Sequence, residues 1–355
     1  MEAIVLVGGL GTRLRPLTLD TPKPMVPIAG VPFLTHQLAR LAAVGVGHVV
    51  LATSYRAEVF EAYFGDGAAL GLRIDYVTET EPLGTGGGIR NVAPMLTSAA
   101  ADPVVVLNGD VLSGHDVAAQ LRLHAERNAA VTLHLVRVED PRAFGSVPTD
   151  PDGRVTAFVE KSPEPVSDQV NAGCYVFRRS VIDGIPAGAV VSVERVTFPG
   201  LLAARETVLG YVEDAYWLDV GSPAAVVRAS ADLVRGIAPS PAVRAPGESL
   251  ASPSAKVDGR ADVRGGSAIG DDVTVETGAV VDGSVVLAGA RIETGAQVVR
   301  SVIGAGAIVG AGCRLEDAVI GTGARLGARN ELLNGARVWP GVVLADLSVR
   351  FSTDA

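Results

Sequence analysis

The feature that most constrains this chain is a repeat of aliphatic residues, six positions apart, in its C-terminal part. Glycine or another small residue recurs between the repeated positions. The register slips by one residue three times along the series Val257, Val263, Ile269, Val275, Val281 and Leu287, then Ile292 and Val298, then Ile303, Val309 and Leu315, then Ile320, Leu326, Leu332, Val338 and Leu344. One inward aliphatic residue per six, with tight turns between, is typical of hexapeptide-repeat parallel β-helices. A β-sandwich is disfavoured because strict period-two alternation is absent.

The preceding part of the chain alternates apolar runs with amphipathic helical patterns. The runs AIVLV, HVVLAT, RIDYVT and PVVVLNGD are rich in valine and bounded by glycine, proline or polar residues. Residues 32–45 and 114–128 carry apolar residues at three- and four-residue spacing, as amphipathic helices do. This alternation predicts a mostly parallel, doubly wound sheet. After Val131 the strands come closer together, and DPDG at Asp150–Gly153 predicts a hairpin turn, so we expect a smaller mixed-sheet lobe there.

The two patterns meet at a proline-rich stretch, which divides the chain into predicted domains. Residues 238–253 (APSPAVRAPGESLASP) have the composition of a linker. We therefore expect an α/β domain over residues 1–237 and a β-helix domain over residues 254–355.

Composition excludes several classes of protein. The net charge of −9 disfavours a nucleic-acid polymer as partner, since such proteins usually present a basic face. Cys174 and Cys313 form neither a metal-binding spacing nor a disulfide framework, which favours a reducing cytoplasm. The N-terminal apolar run is shorter than a signal peptide requires, and no apolar span of about 20 residues is present to form a membrane helix. We expect a cytoplasmic protein without a membrane partner.

A glycine-rich, cationic segment follows the first apolar run, at residues 8–25 (GGLGTRLRPLTLDTPKPM). Glycine lets backbone N–H groups approach a ligand closely, and two arginines and a lysine supply positive charge, so the segment suits a polyanion such as a nucleotide. It is not a P-loop, because no Gly-Lys-Ser/Thr follows at the required spacing. It is not a dinucleotide fingerprint either, because Leu14 replaces the third glycine.

The continuation of this segment is more specific. GTRLRPLT followed by TPKPM resembles the signature of the sugar-phosphate nucleotidyltransferases. Further motifs occur in the order typical of that family: EPLGTGGGI at 81–89, LNGDV at 107–111, FVEKS at 158–162, NAGCYVF at 171–177 and YWLDVGSP at 216–223. The resemblance covers nearly the whole chain. It implies a Rossmann-like nucleotidyltransferase domain followed by a left-handed parallel β-helix.

The resemblance also implies the reaction, in which a sugar 1-phosphate attacks a nucleoside triphosphate and releases pyrophosphate. A phosphate monoester has a second pKa of about 6, so the nucleophile is already ionised near pH 7 and no general base is required. Catalysis then needs charge neutralisation and alignment of two polyanions. The resemblance implies that Arg13 meets the triphosphate and that Lys23, held between Pro22 and Pro24, directs its ammonium to the phosphates. Arg15 is expected to brace the loop.

The remaining site residues are assigned in the same way. Lys161 resembles the family's lysine that meets the sugar phosphate, and Glu160 its carboxylate that binds sugar hydroxyls, although an exposed Glu–Lys pair is ordinarily only surface. The predicted nucleotide-binding set is Gly8, Gly9, Leu10, Gly11, Thr12, Arg13, Lys23, Glu81, Pro82, Gly84, Thr85 and Gly109. The predicted sugar-phosphate set is Gly145, Glu160, Lys161, Asn171, Gly173 and Trp217, with Tyr216 as a further possible wall.

Two aspartates suggest a metal cofactor. Asp110 ends the run PVVVLNGD, and Asp219 lies in WLDVG. A carboxylate beside a triphosphate is costly unless a cation compensates, and Mg²⁺ is commonly held by one or two carboxylates with phosphate oxygens and waters. The family positions that match these two residues are its metal ligands. On position alone, a strand-end aspartate is more often a helix cap.

The base and the sugar are predicted less directly. Glu79 or Glu81 could accept hydrogen bonds from the N1–H and 2-amino group of guanine, whereas adenine would leave such an acid unpaired. Both could equally be solvated loop acids. The segments AIVLVGGLGTRLRPLT, EPLGTGG and NELLNGARVWPG are most similar to the branch of the family that makes GDP-mannose and pyrophosphate from GTP and mannose 1-phosphate.

Several alternatives remain open. Another nucleotide could be joined to glucose 1-phosphate or a cyclitol phosphate, or the chain could be a non-catalytic regulator that binds GDP-mannose. Acyl transfer, a common activity of hexapeptide β-helices, normally uses a histidine base, and all five histidines precede residue 135. The β-helix is instead expected to build a homo-oligomer.

Overall fold

The computed structural model describes residues 1–54, 56–159, 163–243 and 245–350. Its contacts divide the chain into two compact units. One unit joins Met1–Gly9 to Gln37–Trp217, and the other joins Leu10–His36 to the described residues from Leu218 onward. Most of the glycine-rich segment therefore belongs to the same unit as the C-terminal repeat. The domain boundaries at residues 237 and 254 stay predictions.

The helices and strands before the repeat match the predicted alternation. In chain order they are β1 (Glu2–Leu6), β2 (Pro27–Ile28), β3 (Val31–Pro32), α1 (Phe33–Ala43), β4 (His48–Thr53), α2 (Ala57–Phe64), β5 (Arg73–Thr78), α3 (Gly84–Val92), β6 (Pro103–Asn108), β7 (Val111–Ser113), α4 (Val117–Glu126), β8 (Val131–Arg137), β9 (Gln169–Arg178), α5 (Arg179–Asp183), α6 (Phe198–Ala203), β10 (Val208–Val212), β11 (Trp217–Asp219) and α7 (Pro223–Val234). Short 3₁₀ turns include Thr12–Leu14, Leu17–Leu19 and Lys23–Met25, and a π-helical turn spans Val193–Thr197.

The sheet of the first unit has the strand order β10-β8-β9-β6-β1-β4-β5. β1 lies parallel between β4 and β6, with Ile4 beside Val50 and Val106. These strands are apolar along their length because parallel sheets of this kind are covered on both faces; α3 packs against β1 and β4, and α4 packs against β8. The doubly wound sheet predicted from the alternation is confirmed.

The segment after Val131 differs from the expectation of a separate lobe. β8, β9 and β10 continue the same sheet, with β9 antiparallel to both β6 and β8. The DPDG turn does form, because the Asp150 carboxylate accepts from the N–H groups of Asp152 and Arg154, at 2.9 and 2.8 Å. It closes only isolated bridges, such as Thr149 to Val155, rather than a second sheet.

The C-terminal repeat folds into three parallel sheets, as expected for a left-handed β-helix. Their strands are, in chain order, β12 (Ser249–Ala251), β13 (Lys256–Val257), β14 (Asp262–Arg264), β15 (Ser267–Ile269), β16 (Thr274–Val275), β17 (Val280–Asp282), β18 (Val285–Val286), β19 (Arg291–Ile292), β20 (Gln297–Val299), β21 (Val302–Ile303), β22 (Ile308–Val309), β23 (Arg314–Glu316), β24 (Val319–Ile320), β25 (Arg325–Leu326), β26 (Glu331–Leu332), β27 (Arg337–Val338) and β28 (Val343–Leu344). Each strand pairs with the third strand after it, so every side of the coil is a continuous ladder.

From Val263 onward the repeated aliphatics line the β-helix interior, with one correction to their register, whereas Val257 in the first coil is 40 % exposed. Val286, at 1 % exposure, takes the inward position predicted for Leu287, which is only half-buried. Val286 pairs with Ile269 before it and Ile303 after it. The shortened step therefore lies between Val281 and Val286. The same shortening precedes Ile303 and Ile320, as predicted.

The shortened steps have a local cause at one corner of the coil. A single residue with positive φ, such as Gly283 or Arg300, makes the turn there. Beside it, buried Ser284 accepts from the Ser301 N–H at 3.0 Å and donates to the carbonyl of Asp282. At Gly265–Gly266 and Asn334–Gly335 two residues of positive φ make the corner instead, and the step returns to six.

No helix within the described residues is long and apolar enough to cross a membrane.

Candidate active site

The glycine-rich segment forms a compact loop whose conformation depends on Gly11. Its φ of 59° lies in the left-handed region, and a Cβ there would stand 3.0 Å from the Cβ of Lys23 and 3.1 Å from Thr18. The Gly11 carbonyl accepts from Thr18 Oγ1 at 2.7 Å and from the Leu14 N–H at 2.9 Å. The loop therefore packs backbone against side chain, which explains why a glycine stands at this position.

Lys23 lies in the same cluster. It begins the 3₁₀ turn Lys23–Met25, its side chain is half-buried, and Pro22 and Pro24 on either side are buried. The two prolines fix the backbone of Lys23, as the sequence predicts. The structure thus brings Gly11 and Lys23 together.

Arg13 is exposed, and its guanidinium lies over Gly221. A Cβ on Gly221 would stand 2.7 Å from Nη2 of Arg13, so a larger residue there would displace the guanidinium. Gly221 follows Asp219 by two residues in the motif LDVG. Arg13 and the Asp219 segment, which are far apart in sequence, are therefore neighbours in this unit.

The first unit holds the start of the loop and Asp110. Ser54 Oγ donates to the Gly8 carbonyl at 2.6 Å, whereas a Cβ on Gly9 would meet nothing within 4 Å. Gly109 lies against the end of β1, where its N–H donates to the Leu6 carbonyl at 2.9 Å and a Cβ would stand 2.5 Å from that oxygen. Asp110 follows, half-buried, at the carboxyl end of β6.

The glycines of EPLGTGGGI have a packing role. They begin helix α3, and Gly86, Gly87 and Gly88 are buried. The N–H groups of Gly86 and Gly87 both donate to the Val191 carbonyl, and a Cβ on Gly87 would stand 2.5 Å from the Ala189 carbonyl. Their small size thus serves close packing of α3 against residues 189–191.

The two candidate acids for the base differ in their surroundings. Glu79 is half-buried against α3, where it accepts from the Leu83 N–H at 3.5 Å, and burial raises its pKa. A Cβ on Gly88 would stand 2.6 Å from Glu79 Oε1. Glu81 and Pro82 are exposed. Glu79 therefore braces the start of α3, and Glu81 is the acid of the pair that faces solvent.

Thr85 also has a structural contact, since its Oγ1 accepts from the Val193 N–H at 3.0 Å. This bond ties the first turn of α3 to the π-helical turn Val193–Thr197.

Asn171 and Gly173, both predicted to bind sugar phosphate, lie in one polar cluster. The Asn171 amide donates to Tyr175 Oη at 2.8 Å and to Glu194 Oε1 at 2.6 Å, and its oxygen accepts from the Gly173 N–H at 3.1 Å. Gly173 has a φ of 75°, and a Cβ would stand 2.9 Å from Asn108 Nδ2. Glu194 is exposed and was missed by sequence analysis, because no recognised motif contains it.

Trp217 lies beside this cluster. Its indole N–H donates to the Ala172 carbonyl at 3.1 Å, and its ring meets Phe144 edge-on at 5.5 Å. Gly145 is close to the Val159 carbonyl, which a Cβ would approach to 3.1 Å. Glu160 and Lys161 come directly after Val159 and lie outside the described residues.

The five histidines are buried. His115 and His134 stack with ring centroids 3.6 Å apart, and burial lowers the pKa of His115 to about 2 and that of His134 to about 3. Burial lowers the pKa of His124 to about 4 as well. These three residues are therefore neutral core side chains near pH 7.

Within the described residues, no group of three or more His, Cys, Asp or Glu side chains could hold a metal by itself. Asp110 and Asp219 are both half-buried carboxylates at the ends of strands. Their oxygen donors match the ligands that Mg²⁺ accepts when phosphate oxygens complete its shell.

Comparison with known families gives two matches that together span most of the chain. Residues 2–236 match the family described as Nucleotidyl transferase. Residues 245–350 match the family described as GMPPB C-terminal domain.

Individual relatives agree with these matches. A protein of Mycobacterium tuberculosis named mannose-1-phosphate guanylyltransferase is 60 % identical over 100 % of this chain and 98 % of its own length. Mannose-1-phosphate guanylyltransferase 1 of Arabidopsis thaliana is 36 % identical over 81 % of this chain and 80 % of its own. The crystal structure of HddC from Yersinia pseudotuberculosis is similar with a TM-score of 0.56 and 30 % identity, covering 64 % of this chain and 97 % of that one. The chain therefore belongs to the nucleotidyl transferase family and, within it, to the mannose-1-phosphate guanylyltransferases.

Proposed function

We propose that this enzyme transfers a guanylyl group from GTP to mannose 1-phosphate, forming GDP-mannose and pyrophosphate. The structural observation that supports it is the loop around Gly11, which is packed on Lys23 and leaves Arg13 exposed over Gly221. A rigid loop with exposed N–H groups and two cations suits a triphosphate. The full-length relative named for this reaction supports the choice of substrates.

In the proposed reaction, an oxygen of mannose 1-phosphate forms a bond to the α-phosphorus of GTP. The bond from that phosphorus to the bridging oxygen breaks, and pyrophosphate leaves. Because the nucleophile is ionised near pH 7, the buried neutral histidines are not needed as bases. The enzyme aligns two polyanions for in-line attack. Arg13 and Lys23 compensate charge on the triphosphate, and N–H groups of residues 8–12 bind its oxygens.

A divalent cation, which we take to be Mg²⁺, fits the carboxylates of Asp110 and Asp219. When bound, it would offset phosphate charge. Asp110 and Asp219 would hold it, together with phosphate oxygens and waters.

The acceptor is assigned to Lys161, Glu160 and the cluster around Asn171. Lys161 would meet the sugar phosphate and Glu160 the sugar hydroxyls. Glu194, whose carboxylate accepts from Asn171, adds an exposed acceptor next to this cluster. Trp217 and Gly145 would border the pocket.

Guanine is assigned to the segment before α3. Glu81 is exposed there and could accept from N1–H and the 2-amino group, whereas adenine would leave it unpaired. The structure of the HddC protein, which is 30 % identical in its aligned part, has also been solved in complex with GMP-PN.

Pyrophosphate release with each of four nucleoside triphosphates, against mannose 1-phosphate and glucose 1-phosphate, tests this proposal. We expect GTP with mannose 1-phosphate to give the highest kcat/KM. A higher kcat/KM for another pair would show that the enzyme prefers those substrates to GTP and mannose 1-phosphate. Binding of GDP-mannose without turnover of any pair would indicate a regulator instead.

We also propose that the enzyme is a cytoplasmic homo-oligomer joined through its β-helix. The last coil leaves Trp339 47 % and Val343 70 % exposed, near β28, which is the edge strand of its sheet within the described residues. Large exposed apolar groups at an unpaired edge favour association. Light scattering of a Trp339→Ser, Val343→Ser variant should show a smaller assembly than the unaltered chain, and an unchanged mass would contradict this role.

A further inference from the structure

Arg337 of the β-helix forms hydrogen bonds with the glycine-rich loop. Arg337 begins β27, in the late segment NGARVWPG. Its Nη1 donates to the carbonyl of Arg13 at 3.1 Å and to the carbonyl of Arg15 at 2.6 Å. Arg337 is more than 320 residues away in sequence, and both partners lie in the same compact unit as it does.

The carbonyls of Arg13 and Arg15 take no part in the hydrogen bonds that close the 3₁₀ turn Thr12–Leu14. Within the 3₁₀ turn, Leu14 N–H bonds the Gly11 carbonyl and Arg15 N–H bonds the Thr12 carbonyl. The carbonyls of Arg13 and Arg15 point to the guanidinium of Arg337 instead. A charged donor shared by two carbonyls fixes the direction of the peptide groups that follow Arg13 and Arg15, and Leu14 between these two residues is buried.

Arg337 is held in place by the β-helix core. Its neighbour Val338 is 6 % exposed and stacks on Ile320, and Arg337 itself pairs with Val319. The backbone of Arg337 is therefore set by aliphatic packing, while its exposed side chain is available to the loop. The β-helix therefore provides a fixed position from which Arg337 can support the loop that carries Arg13.

We propose that Arg337 is a positioning residue for nucleotidyl transfer, acting through the loop that carries Arg13. The inference rests on the proposed function, in which Arg13 meets the triphosphate. Arg337 does not touch the substrate; it sets the backbone from which the Arg13 side chain extends. Loss of its two hydrogen bonds lets the loop shift, and misplacement of a catalytic group by about 1 Å can cost on the order of 10²-fold in rate.

The test compares Arg337→Met, Arg337→Lys and the control Arg325→Met. Arg325 begins β25 on another side of the same coil, is exposed, and makes no hydrogen bond to the loop within the described residues. We expect Arg337→Met to lower kcat by about 10- to 100-fold, with KM for mannose 1-phosphate and Tm unchanged. Lysine can still donate to both carbonyls, so Arg337→Lys should recover much of the rate, and Arg325→Met should behave as the unaltered enzyme.

A double variant separates this inference from the proposed function. If Arg337 acts through the loop, Arg13→Met combined with Arg337→Met should be little slower than Arg13→Met alone. An unchanged kcat in Arg337→Met, multiplicative losses in the double variant, or a loss that lysine does not rescue would overturn the inference. An unchanged kcat in Arg13→Met would instead overturn the proposed role of Arg13.

Discussion

The sheet unit and the β-helix differ in how far apart in the sequence their paired strands lie. In the sheet, β1 lies between β4 and β6, partners separated from it by helices and loops of variable length. In the β-helix, each strand pairs with the third strand after it, on the next coil. Strand pairing in the β-helix can therefore be predicted from the period of the sequence, whereas strand pairing in the sheet cannot. The stacking of coils also brings Arg337, which is distant in sequence, next to the loop of residues 10–36.

The largest expected effect is the loss of turnover when Asp110, a proposed metal ligand in the sheet unit, is replaced. Asp110→Asn should lower kcat by about 10²-fold or more, because it removes a charge assigned to the metal while keeping a side chain of nearly the same shape. The control is Asp214→Asn, an exposed aspartate. Steady-state turnover over a range of Mg²⁺ concentrations measures the effect. Near-normal turnover of Asp110→Asn, with no harm from EDTA, would refute the metal assignment.

A second prediction tests whether the β-helix only assembles the protein. Because every candidate catalytic residue precedes position 220, the sequence alone suggests that a chain cut near Pro239 keeps part of its activity. The cut removes Arg337 and also Ser240, whose hydroxyl lies 2.8 Å from His36 Nδ1. We therefore expect a loss of kcat at least as large as that of Arg337→Met, about 10- to 100-fold.

Circular dichroism would show whether the shortened chain is folded, and removal of residues 351–355 alone is the matched control. Full turnover in a folded, shortened chain would show that the loop keeps its conformation without the β-helix.

A third prediction tests the corrected register. Val286→Ala should destabilise the β-helix by about 2 kcal/mol, since it removes two buried carbons and leaves a cavity. Leu287→Ala should cost less, about 1 kcal/mol, because Leu287 is only half-buried although it is the larger residue. Urea unfolding followed by far-ultraviolet circular dichroism compares the two. A larger loss of stability for Leu287→Ala would mean that Leu287, six residues after Val281, is the inward residue.

A fourth prediction separates the two regions by pH. His115, His124 and His134 have folded pKa values of about 2, 4 and 3, against 6.5 when exposed. The unfolded chain therefore binds more protons below pH 6.5, and stability falls as pH decreases from 6.5 towards 4, by on the order of 1–2 kcal/mol for each histidine at pH 5. The repeat region contains no histidine.

Hydrogen exchange at pH 7 and pH 5 should show faster opening of the sheet unit and little change in the β-helix. Equal acceleration in both regions would mean that carboxylates dominate the acid response.

The sequence predicted the two architectures, because these depend on local composition and period. It missed what depends on distant neighbours. The glycines at 86–88 serve packing against residues 189–191, which no local pattern shows. Glu194 joins Asn171 only through the tertiary fold. Leu287 was misplaced because a five-residue and a six-residue step both leave an aliphatic residue at a plausible position.

The corner beside Ser284 has a consequence for how chains of this kind can change length. Elsewhere in a coil, one inserted or deleted residue would turn the following aliphatic row from the inside to the outside. At this corner the chain already uses either one residue of positive φ, at Gly283, or two, at Gly265–Gly266 and Asn334–Gly335. Both versions keep the next strand in line with its partners, as the pairings of Ile269 with Val286 and Ile320 with Val338 show. Single-residue insertions and deletions should therefore accumulate here during divergence, and alignments of related sequences should place their gaps at this turn.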